Sequence, residues 1–152
     1  MEDLDKEWFD FTIRFVDKLN ESNEDWEALT QEEQELAALW RLEADMYNGG
    51  FLQFFCNWGP VCLEHALRTL TKLGAEECLG ILQQQYAIIT RLENNKDMKE
   101  LWDIPKFLTE DELHEISDVL DLNYWDNQDD IMTKTLHTYA ALYEESKANG
   151  QA

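Results

Sequence analysis

TQEEQELAALWRLEADMYNGG, residues 30–50, carries a start, a stripe and a stop for one helix. Thr30 and Glu33 stand at the spacing of a capping box, in which the Thr hydroxyl and the Glu carboxylate each accept a backbone N–H of the first turn. Leu36, Leu39, Trp40, Glu43 and Tyr47 then fall along one side at steps of three and four. Asn48-Gly49-Gly50 ends the run, since glycine accepts the left-handed backbone that closes a helix.

The same grammar extends in both directions. Leu4, Trp8, Phe11, Phe15 and Leu19 give an amphipathic helix over residues 3–19, and residues 20–25 form a polar connection. Phe51 to Pro60 is read as a short aromatic segment closed by Gly59 and Pro60. Leu63, Leu67, Leu70 and Leu73 mark a helix stopped by Gly74, and Leu79, Leu82, Tyr86, Ile89 and Leu92 mark another. A loop with one helical turn near Leu101 and Trp102 leads to a second capping box, Thr109 with Glu112. Leu113, Ile116 and Leu120 follow it. Residues 121–130 read as a polar loop holding Tyr124 and Trp125, and Ile131, Leu136, Tyr139 and Tyr143 as the last helix. No segment alternates at period two. The expectation is an all-α single compact domain over residues 1–152, with about six to seven helices, a core motif at 48–57 and a flexible tail from about residue 146.

Charge is the second decisive feature. The chain holds 33 acidic and 12 basic residues, a formal net charge of −21 on 152 residues. Disordered acidic chains lack aromatics; this one has 6 Trp, 5 Tyr and 7 Phe, which predicts a folded globule. The surplus is segregated: residues 1–50 carry −11, residues 51–100 carry −1 and residues 101–152 carry −9. On the first helix Asp3, Glu7, Asp10, Asp17 and Glu21 form a stripe interrupted by Arg14. Helical neighbours at such spacing lie roughly 5–6 Å apart along the axis, comparable with successive phosphates of a nucleic-acid strand. Asp118, Asp121, Asp126, Asp129 and Asp130 are read as a second row. A solvated acidic face is the ordinary meaning of such a run, and acids in first turns also favour the helix dipole. Segregation without interspersed cations points further, to a surface for a cationic partner.

Other chemistry finds little footing. Cys62 and His65 have ligand-like spacing, and Cys56 and Cys78 are near in sequence, but a structural zinc site needs paired ligands on both sides. Asp111 and His114 supply only half of a di-iron motif. The 121–130 stretch lacks the glycine and final glutamate of a calcium loop. His65, His114 and His137 are scattered, and no phosphate-cradling or nucleophile motif occurs. No catalytic residue, metal or cofactor is expected. A surface this acidic excludes direct nucleic-acid binding. With no signal-like N-terminus, no long apolar run and three unpatterned cysteines, the expectation is a cytoplasmic protein with free, mostly buried thiols and no membrane contact.

Asn48-Gly49-Gly50-Phe51-Leu52-Gln53-Phe54-Phe55-Cys56-Asn57 resembles the signature of a family of small, all-helical bacterial proteins with an N-G-G-F-x-Q-F/Y-F-x-N core motif. The helix from Leu36 to Tyr47 and the later Asp121-Leu122-Asn123 fit the same pattern, so the resemblance covers about residues 30–145. Most of that family has no assigned function. Its acidic branch is known as DNA mimics, and the resemblance implies a homodimer that occupies the DNA-binding surface of a helix-turn-helix transcription regulator and blocks operator binding. The motif itself is read as architecture. Gly49 and Gly50 make a tight turn, Phe51, Phe54 and Phe55 plug the core, and Asn48, Gln53 and Asn57 satisfy backbone groups at the turn. The alternatives are a small-ligand pocket at residues 48–57, a non-selective sink for basic DNA-binding proteins, or mimicry aimed at a DNA-processing enzyme.

Overall fold

A computed structural model describes residues 2–150. Among them the regular structure is all helical, in one domain. The long helices are α1 (Glu2–Glu21), α2 (Gln31–Met46), α3 (Phe51–Leu73) and α4 (Glu76–Ile89). Shorter pieces follow: α5 (Ile104–Phe107), α6 (Glu110–Leu113), α7 (Asp121–Trp125), α8 (Ile131–Thr138) and α9 (Ala140–Gly150).

Helix α2 is the axis of the domain. Leu36, Ala37, Ala38, Leu39, Leu42 and Met46 are all fully buried, so it lacks a wide polar face. The two alanines let α1 and α3 approach it closely from either side. Trp8, Phe11, Phe15 and Leu19 turn the expected stripe of α1 inward. Both capping boxes form: Thr30 N–H donates to Glu33 at 2.9 Å and Glu33 N–H to Thr30 Oγ1 at 3.2 Å, and Thr109 and Glu112 repeat the exchange.

The aromatic segment is helical, and Gly59 with Pro60 does interrupt it as expected. It is the first half of α3, bent at Gly59 (φ 82°, ψ −172°), with Pro60 opening the second half where its missing N–H is harmless. Two readings of the sequence are corrected. Residues 121–125 are helix rather than loop. The rod from α6 continues through a widened π-helical turn over His114–Leu120 directly into α7, burying Asp121 and Tyr124. The last helix is two helices, because Tyr139 (φ −105°, ψ 34°) breaks the run. Helix α9 continues to Gly150, and the last two residues of the expected tail lie outside the described residues.

One buried charge organises the middle of the molecule. Glu35 is fully buried and accepts from Arg68 (2.7 Å), Lys72 (2.8 Å), Tyr139 Oη (2.8 Å) and Gln31 (3.2 Å). Burial alone pushes its carboxyl up, but these four donors outweigh that and hold it below the usual range. It therefore bonds α2, α3 and the α8–α9 junction together.

Candidate functional site

The 48–57 motif is built around a residue that periodicity does not single out, Asp45. Its carbonyl oxygen accepts the N–H groups of Asn48 (3.1 Å), Gly49 (2.8 Å) and Gly50 (2.9 Å). Its carboxylate accepts from Gln53 Nε2 (2.8 Å), Asn57 Nδ2 (3.3 Å) and Trp58 Nε1 (2.8 Å). The amides thus serve a side chain and not the backbone of the turn, as the sequence had suggested. The turn's own N–H groups converge on a single carbonyl instead. Asn48 reaches Gln53 Oε1 at 3.4 Å, and Asn57 Oδ1 accepts from Trp102 at 3.2 Å. Gly50 is required, and Gly49 is closely fitted against Gln53. A Cβ on Gly49 would fall 2.0 Å from Gln53 Oε1, and one on Gly50 (φ +91°) 1.9 Å from Asp121 Oδ2. Phe51, Phe54 and Phe55 are buried in the core as expected.

With its amides engaged this way, the motif has little polar capacity left for a ligand. A neighbouring cavity of about 140 Å³, lined by residues that include Phe55, Pro60, Tyr86, Met98 and Leu101, is apolar, and none of the three amides opens on it. No group of three or more His, Cys, Asp or Glu is placed to hold a metal among the described residues. Cys62 is buried near Arg41, and the His65 ring packs on Trp26 at 4.5 Å. No helix among them is long and apolar enough to cross a membrane.

The acidic stripe of α1 is uneven. Asp3, Glu7, Asp10, Asp17 and Glu21 are all exposed. Asp10, however, is paired with Lys6 at 2.7 Å, and Glu7 accepts from Tyr143 at 2.9 Å. Both border a groove that also holds Arg14 and Lys147. The middle of the stripe is therefore electrically mixed. Beyond it the surplus runs uninterrupted: Asp17, Glu21, Glu24, Asp25, Glu27 and Glu32 are all exposed. The only base between residues 17 and 32, Lys18, is committed to Glu33 at 2.8 Å.

The second row divides. Asp118, Asp126 and Asp130 are exposed, with Asp118 beside His114 at 3.1 Å. Asp121 and Asp129 are not surface carboxylates, and their assignment to a phosphate-like row fails. Asp121 accepts from Phe51 N–H (3.0 Å) and Gln85 Nε2 (2.6 Å), and Asp129 accepts from Cys78 N–H (2.7 Å). Both are buried because they satisfy otherwise orphaned donors at helix starts. The exposed acids of this region include Glu110 and Asp111, in the first turn of α6, and Glu115. The two rows sit on different layers, since α1 packs on α2 and α8 while the π-helical turn packs on α3 and α4. Asp130 shares a groove with Asp5 of α1, which lies outside the first row.

Cations are mostly spent on internal pairs. Glu24 clasps Arg41, which is buried between Trp26 and the closer Trp58 (3.7 Å to the ring centre). Arg91 binds Glu112 at 2.6 Å and, with the N–H of Thr109, holds its carboxyl down to about 2. Most of the unpaired charge on the surface is therefore negative.

A family model described as DMP19-like protein matches residues 27–143. No curated protein and no solved structure matches the chain.

Proposed function

The chain belongs to the DMP19-like family, and from that premise we propose that it is a DNA mimic, whose carboxylates stand in for phosphates and occupy the DNA-binding surface of a basic protein. Family membership supports the type of activity, since the acidic branch of the family is known as DNA mimics and this chain carries a net charge of −21. The observation that carries the reading is the exposed acid run from Asp17 to Glu32, in which Lys18 is paired with Glu33 and only Glu24, held by Arg41, is engaged by a cation among the described residues. Asp118, Asp126 and Asp130 form the second patch, and Asp3 stands apart at the far end of α1. The target we propose is a helix-turn-helix transcription regulator. Regulator half-sites repeat every ~34–36 Å, while a 20-residue helix such as α1 spans only ~30 Å. A homodimer of this chain would cover the distance.

The test is capture of partners from native cytosol at physiological salt, followed by competition of each captured DNA-binding protein against its own DNA. The expected result is displacement of DNA at near-stoichiometric protein, weakening as salt rises. The double variant Asp17→Lys with Glu21→Lys should lose that displacement by at least tenfold while melting within a few degrees of wild type, because both side chains are exposed. A captured set of unrelated basic proteins that wash off at modest salt would replace selective mimicry with a non-selective sink. Failure of any captured protein to be displaced from DNA would refute mimicry outright.

A further inference from the structure

Two grooves lined by α1, α2 and the start of α8 share Glu43, Tyr47 and Met132. One, of about 280 Å³, is walled by Trp8, Phe9 and Trp40. The other, of about 330 Å³, has Asp5 and Asp130 among its lining residues. The Phe9 ring meets Trp40 edge-on at 5.9 Å, yet Phe9 and Tyr47 remain 47% and 51% exposed. Two large rings thus face solvent in one groove. Glu43 accepts one hydrogen bond, from Tyr124 Oη at 2.6 Å, and no cation pairs with it among the described residues. The groups around it are Asp5 from α1, Tyr47 from α2, Cys78 from α4, Tyr124 from α7 and Asp130 ahead of α8, none of them basic.

We propose that this aromatic groove receives an arginine side chain of the basic partner, with the rings holding the guanidinium and Glu43 supplying its counter-charge. The inference rests on the reading of the chain as a mimic of DNA, and names where one residue of the partner is gripped. A guanidinium is weakly hydrated and stacks on aromatic faces, so it suits a slot with rings as walls and a carboxylate at the base. The chain already accommodates a cation of its own in this manner, in Arg41 between Trp26 and Trp58 with Glu24. A second copy of the chain fits the groove poorly. An isologous contact would bring the patch that holds Glu43, Asp5 and Asp130 against the same patch of the other copy, acid facing acid. Burial pushes the Glu43 carboxyl up to about 7, with the Tyr124 hydrogen bond opposing it. Docking of a cation therefore draws off a proton near neutrality, whereas ordinary surface carboxylates are already ionised there.

The test follows the Trp40 indole N–H and the Met132 methyl by NMR during titration with the blocked peptide acetyl-Gly-Arg-Gly-amide. Both signals should move at pH 8, and binding should weaken about tenfold at pH 6 as Glu43 takes up its proton. Glu43→Gln should bind weakly at both pH values with no pH dependence, and Phe9→Ala should lose most binding at pH 8; both variants are checked for native spectra. Three results would each overturn the groove: wild-type behaviour of Glu43→Gln, shifts confined to residues 17–32, or concentration-dependent movement of the same signals without peptide, which marks cover by another copy. With a target in hand, a Glu43→Gln chain that displaces DNA as well as wild type refutes the groove and leaves mimicry standing. A wild-type chain that displaces nothing refutes mimicry itself.

Discussion

Asp121→Ala should destabilise the chain by about 2–5 kcal/mol, read as a lower midpoint in chemical denaturation. Among the described residues the carboxylate of Asp121 is the only acceptor for the N–H of Phe51, and it holds the Gln85 amide nitrogen together with the carbonyl of Ile116. All of these groups are buried. Alanine strands a backbone donor at the start of α3 and leaves a void beside Gly50. Each buried group so abandoned costs about 1–3 kcal/mol. Asp121→Asn keeps one acceptor oxygen and should cost less than alanine. The same contact explains why Gly50 tolerates no side chain: its backbone is left-handed, and a Cβ would collide with Asp121. A loss below 1 kcal/mol for alanine would show that Asp121 does not anchor the motif to α7.

Glu43→Gln should have the opposite sign, stabilising the chain at pH 8 by about 2–3 kcal/mol and hardly at all at pH 4. In the unfolded chain this carboxyl releases its proton near the ordinary value of 4.5, while the folded chain keeps it up to about 7. Between those values the folded form binds a proton that the unfolded form has lost. Stability therefore falls as pH rises through that window and stays at its lower level above it. Glutamine carries no such cost and still offers Tyr124 an oxygen. Denaturation of both proteins at pH 4 and pH 8 isolates the effect, since every other titrating group is common to the two. An equal difference at both values would place Glu43 in contact with water. A gain at pH 8 would mean that the native chain retains a destabilising carboxylate in the groove proposed to grip a cation, a familiar trade between stability and binding.

Much of the scaffold was legible because it obeys local rules. Thr30 with Glu33 and Thr109 with Glu112 announce helix starts, Gly74 closes α3 in the left-handed conformation, and the apolar stripe of α1 sets its buried face. What was illegible depends on partners far apart in sequence. Asp45 gathers Gln53, Asn57 and Trp58 at offsets of eight, twelve and thirteen, a spacing that belongs to no helix period. Asp121 and Asp129 lie in a polar stretch and look like surface charges, yet their acceptor oxygens meet donors on α3 and α4. Their burial follows from those donors, which no count of charge reveals. The acid run of residues 17–32 was partly seen through Asp17 and Glu21. Its extension needed the knowledge that Lys18 and Arg41 are occupied. Glu43 was noted only as a member of the α2 stripe, because its unusual proton affinity arises from burial.

The three cysteines give the folded chain a chemical clock. Cys56, Cys62 and Cys78 are free and buried, and burial pushes the first two up to about 11 and about 12 and the third higher still. Thiolate, the form that attacks alkylating reagents and disulfides, is therefore scarce in the native state at physiological pH. Modification has to wait until α3 and α4 part from their neighbours, so its rate counts openings of this helical pair. A protein whose surface is dominated by carboxylate chemistry thus keeps a second, nearly silent chemistry inside, which becomes audible only when the fold lets go.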